Sequence, residues 1–487
     1  MIKFENISKK RTSLTKFEKI AILIIASKTN AVKEKIMKVV KNLTEGNIYK
    51  NFFFFAIPLI AASLLSSMYG TINAMIAGKY IDNFAMGAVG ATEVFNTMVS
   101  CLFSGFTIGA TIHTSRLFGQ KDFGGVKRNI YAILSFLVVG ILTVSTLTLI
   151  FHRPLLSFLA IDESILDEAR TYSRIYVAGQ LFPIFNVALI QILHAVGITN
   201  FMFYMSLLSM GLNIGGNLFT VLVLDMGVGG LAVSTIVSSA IVTMFYLLKL
   251  RSAFRDMPSE RVKIGFYLPM LRATLRYSLP ASLQQGVMYL ASFFLSPAIN
   301  VLGPAATTGY AAALRIYNIS APCFQNSSKA LANYIAQSIG AGKNENIPRG
   351  LRAGLLQGAT LLLPFVLTTV IFAKPIASLF FENGYTGEAF AYAVHFSRVY
   401  IPFVYLNMLT NLAHSFFRGM GSMHELFICT LLGSASRLVA TIFLAPMLGM
   451  EGVFIAWVLG WAAEALLCLT LYLTRYRTLV QIEKRIR

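Results

Sequence analysis

Charge is scarce in this sequence. Of 487 residues, 13% are Asp, Glu, Lys or Arg, against roughly 25% in soluble domains. The charges are also clustered, leaving long stretches with almost none, which excludes an ordinary soluble domain. Cysteine is equally sparse. Cys101, Cys323, Cys429 and Cys468 lie in apolar runs with no C-x-x-C spacing, so neither a disulfide framework nor a zinc knuckle is expected. They read as small buried apolar residues. The six histidines show no H-E-x-x-H pattern. His113, His194, His414 and His424 fall near helix ends, His152 and His395 near external turns, and all six read as interfacial polar residues. No G-x-x-x-x-G-K-[ST] loop, nucleophile elbow or dinucleotide fingerprint occurs on a plausible strand, so no enzyme, cofactor or metal is expected.

Hydrophobic residues make up 56% of the chain. A run of about 20 apolar residues spans a bilayer as a helix, and inside lipid a helix satisfies its own backbone hydrogen bonds where an open sheet cannot. Twelve spans are expected: 52–77, 85–112, 129–151, 175–196, 201–224, 228–248, 277–302, 306–336, 353–373, 391–417, 425–447 and 452–473. The organisation predicted is a basic cytoplasmic leader (1–50), a six-helix bundle (51–248), a linker loop (249–276), a second six-helix bundle (277–475) and a basic tail (476–487). Met37 is an alternative start. With the N-terminus in the cytoplasm, the cytoplasmic segments carry 32 Lys and Arg and the external segments 5. This asymmetry is the positive-inside pattern. It accounts for most of the formal +20 charge without a nucleic-acid partner, and it places both termini inside the plasma membrane, expected to be bacterial.

The chain also repeats itself. At a shift of 221 residues, Phe151-His-Arg-Pro-Leu-Leu-Ser157 falls on Phe372-Ala-Lys-Pro-Ile-Ala-Ser378, Gly119 on Gly340 and Arg128 on Arg349. With small gaps, Ser173-Arg-Ile-Tyr176 meets Ser397-Arg-Val-Tyr400, and Gly227 and Gly230 meet Gly449 and Gly452. Two like-oriented halves of six helices follow. Repeats of this kind are related by an axis along the membrane normal, with a substrate site between them near the midplane and rocking of the halves as the mechanism.

Several features resemble the multidrug and toxic compound extrusion (MATE) family over roughly residues 42–475. They are Leu43-Thr-Glu-Gly46 before Ile57-Pro58, Gly78 closing helix 1, the Gly119-Gln-Lys-Asp122 loop and its partner Gly340-Ala-Gly-Lys-Asn344, and the turns Gly227-Val-Gly-Gly230 and Gly449-Met-Glu-Gly452. The resemblance implies export of organic, often cationic amphipathic compounds, coupled to entry of H+ or Na+, by a protein expected to act as a monomer among membrane lipids. It also marks departures. Asn73 stands where many members carry an acid in helix 1, and Gln284 and Gln285 stand where some carry one in helix 7. A lipid-linked oligosaccharide flippase of the same superfamily is the rival. Such flippases often have fourteen helices and a cavity with several cations.

Ionisable groups inside a membrane are costly, so each is a functional candidate. Glu93 in helix 2 is the leading ion-coupling candidate, and Asn73 in helix 1 is the second. Glu93 lies near the repeat position of Arg315, so the two are expected to face each other across the cleft. Arg437 and Glu464, on neighbouring helices, are expected to form a structural ion pair, and Lys329 to snorkel toward the interface. Tyr69, Gln284, Gln285, Met288, Tyr289, Arg315 and Tyr317 are the cavity candidates, since aromatic faces bind organic cations and Met offers an adaptable apolar surface.

Overall fold

The structure, a computed structural model, describes Tyr49 and residues 57–65, 76, 80–81, 83–154, 166–259, 262–381 and 386–486. Tyr69, Asn73, Met37 and most of the basic leader lie outside the described residues. Among those described there is no strand.

The helices are α1 (57–65), α2 (Asn83–Gly119), α3 (Phe123–Ile150), α4 in two pieces (Leu166–Gly179 and Leu181–Ala195) and α5 (Asn200–Leu218). Then come α6 (Gly227–Asp256), α7 (Leu268–Asn300), α8 (Pro304–Gly340) and α9 (Ile347–Ile371). The last three are α10 in two pieces (Glu388–His395 and Val404–Met420), α11 (Met423–Leu448) and α12 (Met450–Ile486). Six of them, α3, α5, α6, α9, α11 and α12, are long and apolar enough to cross a bilayer, and the bent α4 pair makes seven. The remaining five are α1, described only in part, and α2, α7, α8 and α10. Polar residues dilute α7, α8 and α10, which supply much of the cavity lining described below. Lipid-facing surfaces carry exposed apolar side chains, such as Val139 and Ile150 on α3 and Phe443 on α11. In water such a band would be a liability.

The repeat is visible element by element. Helices α2 and α8 are each 37 residues long. Both α4 and α10 are interrupted at matching places. The α4 pieces bend by 48° at Gln180, whose buried amide donates to the Ser145 hydroxyl at 2.8 Å. In α10 a wide turn at Phe396–Tyr400 is followed by a tight turn at Ile401–Phe403. Pro402 lacks the N–H that a continuous helix needs. The chain is therefore an all-α polytopic membrane protein with twelve spans in two pseudo-symmetric six-helix bundles. The loop joining the bundles is shorter than expected, because α6 runs on to Asp256 and α7 starts at Leu268. The charged ends of both helices, which read as loop, are helical turns.

At one end, where the α2–α3 and α8–α9 turns lie, the bundles are tightly closed. A Cβ added to Gly119 would overlap the carbonyl of Gln337, and one added to Gly340 would overlap the carbonyl of Arg116. The two contacts are reciprocal. Around them the Gln337 amide donates to the Ala195 carbonyl at 3.0 Å. The Arg116 guanidinium donates to the carbonyls of Gly419, at 3.2 Å, and Met420, and to the Tyr277 hydroxyl at 3.0 Å. Ala195 ends α4 and Met420 ends α10, so each half reaches across to cap the other half's broken helix. From Ala330 to Ser338 every residue of α8 is buried.

Candidate functional site

Beyond this plug a cavity of about 560 Å³ opens, lined by α2, α4, α7, α8, α10, α11 and α12. Helix α8 presents Tyr310, Leu314, Tyr317, Asn318, Gln325, Ser328 and Lys329 to it, a stripe at helical spacing. The same periodicity sets Asn407, Asn411, His414 and Arg418 on one face of α10, and Trp457, Trp461 and Glu464 on one face of α12. Most of the lining comes from the C-terminal half.

Four rings form one wall. Tyr317 stacks on Trp461 with centroids 5.7 Å apart and meets Trp457 edge-on at 5.3 Å, and Tyr310 meets Trp457 edge-on at 5.8 Å. The Arg437 guanidinium lies 4.3 Å from the Trp457 ring centroid, a cation–π contact, and donates to the Tyr310 hydroxyl at 3.2 Å. Toward the plug, Gln284 links three helices. Its amide donates to the Thr430 hydroxyl at 2.9 Å and its carbonyl accepts from Arg418 at 3.1 Å. Between these layers the Glu464 carboxylate sits 3.0 Å from His414 Nε2. Glu464 fits because α11 has Gly433 opposite it, where a Cβ would overlap the carboxylate.

Of the residues singled out in the sequence, Gln284, Gln285, Met288, Tyr289, Tyr317, Arg437 and Glu464 line this one cavity. Three expectations are corrected. Arg437 and Glu464 do not form an ion pair: Glu464 takes His414, and Arg437 takes Trp457 and Tyr310. Arg315 is exposed and outside the lining, because its neighbour Leu314 holds the inward position and successive helical residues diverge by about 100°. Lys329 borders the cavity and approaches the Asn326 side-chain oxygen at 3.5 Å, rather than snorkelling. Glu93 lies on α2, with its side chain outside those described. Sequence reasoning missed His414, Arg418, Trp457 and Trp461. The signal for them was present in the i, i+4 and i, i+7 spacings on helices 10 and 12. Among the described residues, no cluster of three or more His, Cys, Asp or Glu could hold a metal ion.

Comparison with known proteins gives the same layout. The family model MatE matches twice, at residues 58–219 and 280–443, once in each half. The probable multidrug resistance protein YoeA of Bacillus subtilis is 22% identical over 351 residues, covering 70% of this chain and 75% of that one. The multidrug export protein MepA of Staphylococcus haemolyticus is 23% identical over 302 residues, covering 61% and 66%. The outward-facing structure of a multidrug resistance MATE family transporter of the MOP superfamily superposes with a TM-score of 0.82 at 21% identity, covering 90% of this chain and 98% of that one. A MOP superfamily transporter from Pyrococcus furiosus, described as having a binding pocket of reverse polarity, gives 0.82 at 20% identity, covering 89% and 97%. With both halves matched by the family model and the twelve-helix fold shared, the chain belongs to the MatE family of multidrug efflux transporters.

Proposed function

We propose that the chain is a secondary active exporter of organic amphiphiles that exchanges them for an entering cation by alternating access. The observation that carries this reading is the aromatic and polar cavity, lined mostly by the C-terminal half and reached by α2 and α4 of the other, closed at one end by the reciprocal α2–α8 contact. The Lys and Arg asymmetry puts that closed end in the cytoplasm, so this conformation faces outward. Rocking of the bundles that parts the closed contact and shuts the open end exposes the same cavity to the other side. Multidrug export is what the names of YoeA and MepA say of those proteins, and a broad aromatic wall suits such substrates.

Glu464 is the proposed coupling site, and Glu93 on α2 is a second candidate by its place in the sequence. An entering cation that competes for Glu464 displaces His414 from it and loosens α10 against α12. The groups facing this pair are Arg418 on α10, Arg437 on α11, Tyr317 on α8 and Cys468 on α12. The imidazole beside Glu464 offers a proton relay, so the proton is the proposed ion. The flippase reading is the second one, and the cationic lining favours it.

Transport in proteoliposomes, with pH and sodium gradients imposed separately, tests the proposal. Dye export is expected under the pH gradient and not under sodium alone. Absence of export under both gradients sinks it.

A further inference from the structure

The charge of the cavity is unlike what a receptor for organic cations needs. Its described lining carries three fixed cations, Lys329, Arg418 and Arg437, and one carboxylate, Glu464. That carboxylate is taken by His414. None of the three cations has a carboxylate within ion-pairing distance among the described residues; the other ion pairs are Arg170 with Asp167 and His395 with Glu451. Each guanidinium spends little of its donor capacity. Arg418 donates to Gln284, and Arg437 donates to Tyr310, out of five N–H groups each. Cations without a carboxylate partner are costly in a membrane interior, and Trp457, Tyr310 and Gln284 offset only part of that cost here.

Their placement is ordered. Lys329 directly precedes the buried Ala330–Ser338 stretch of α8 and Arg418 lies two residues before Met420, so two like charges line the base of the cavity beside the plug. Arg437 lies seven residues along α11 from Thr430, the level of Gln284, which is about 10 Å toward the mouth. The four-ring wall begins there. Such a site suits a molecule with an anionic head at the base and an apolar or aromatic body reaching the wall. The guanidinium fork matches phosphate oxygens, and a phosphate monoester, with up to two negative charges near neutral pH, balances paired cations better than a carboxylate does.

We propose that Lys329 and Arg418 form an anion subsite, and that the compounds this chain exports carry an organic phosphate on an apolar body about 10 Å long. This rests on the exporter reading and names its substrate class. Phosphate of this kind comes from a soluble phosphate ester or from a lipid headgroup.

The test uses the two tryptophans of the chain, both on the cavity wall, as reporters. The full-length protein in phosphatidylcholine nanodiscs is titrated with octyl phosphate, octyltrimethylammonium and octanol while tryptophan emission is followed. Octyl phosphate is expected to bind at least about tenfold tighter than the other two, and Arg418→Gln and Lys329→Gln each to weaken it about tenfold. Arg418→Lys, which keeps the charge and loses the fork, is expected to weaken binding less than Arg418→Gln does, separating charge loss from misfolding. The inference is overturned if octyltrimethylammonium binds as tightly, or if both neutral variants bind octyl phosphate as the wild type does. Phosphatidic acid added to the nanodiscs identifies the source. Suppression of the octyl phosphate response upholds a lipid headgroup, and an unchanged response upholds a soluble ester. Binding needs no gradient, so dye export that persists in proteoliposomes while this selectivity fails removes the anion subsite and leaves the exporter standing.

Discussion

Glu464 shows how far a single residue can be read. An acid deep inside a predicted span announces itself from sequence alone, because its burial is costly. Its partner does not. Arg437 is nearer in sequence and has the right sign, yet Gly433 and Gly460 let α11 and α12 approach so closely that Arg437 is turned onto Trp457 and Glu464 onto His414. Helix α10 was needed to complete the pair, and nothing in a linear pattern joins it to α12. Glu464→Gln is expected to abolish export driven by a pH gradient in proteoliposomes, lowering the initial rate at least about tenfold, while ligand-induced tryptophan emission changes persist. Retention of the full rate would remove Glu464 from the coupling path. A separate pH effect belongs to His152, just beyond α3. It is buried and shares a 2.7 Å hydrogen bond with Ser173. Burial, with Arg174 and Arg170 adding in the same direction, pushes its imidazole below the usual range. The folded state holds this proton less tightly than the unfolded one, so stability is full above about pH 6.5 and falls as the pH drops below that. Thermal unfolding between pH 7.5 and about pH 5 is expected to show less acid sensitivity in His152→Gln than in the parent chain.

Among the elements, α2 and α8 matter most for the proposed motion. Gly119 and Gly340 were conspicuous in the sequence as matching loop glycines, but their reason was hidden. Each lets the backbone of one half touch a carbonyl of the other. Gly119→Val and Gly340→Val are each expected to hold the closed end apart. The measurement is labelling of a cysteine placed at Ser115 by a membrane-impermeant maleimide from the cytoplasmic side, expected to rise severalfold. No increase in either variant would mean that the contact does not form the gate. Arg116→Ala should open this end more than Gln337→Ala, because a charged donor makes the stronger hydrogen bond. The interruption of α10 was partly legible, since Pro402 marks it. The bend of α4 carries the same kind of mark, since Pro183 leaves the Gly179 carbonyl four residues back without an N–H partner.

At the scale of the molecule, spans, halves and the family resemblance could all be read from composition, charge placement and the repeat, since these depend on the bilayer and on local pattern. The position of the cavity could not. Gly105 packs against Ser282 of α7, while its repeat counterpart Asn326 donates to Ser63 of α1 at 2.9 Å. Differences of this kind, invisible until the halves are superposed, place most of the cavity lining in the C-terminal half. The orientation has a direct test. In a cysteine-free background, a cysteine at Lys343 should react with an impermeant thiol reagent only from the cytoplasm, and one at Val301, which is 85% exposed, only from outside. Reversed labelling would invert the proposed transport direction.

The reciprocal glycine contact has one more consequence. A two-fold contact in which position i meets position j and j meets i is self-complementary. Two separate copies of one six-helix chain could make it without covalent connection. Fusion then frees each copy to diverge. Arginine in one half can face glutamine in the other, a choice closed to identical subunits, and a polar chamber can deepen on one side of the axis while the shared contact stays the same.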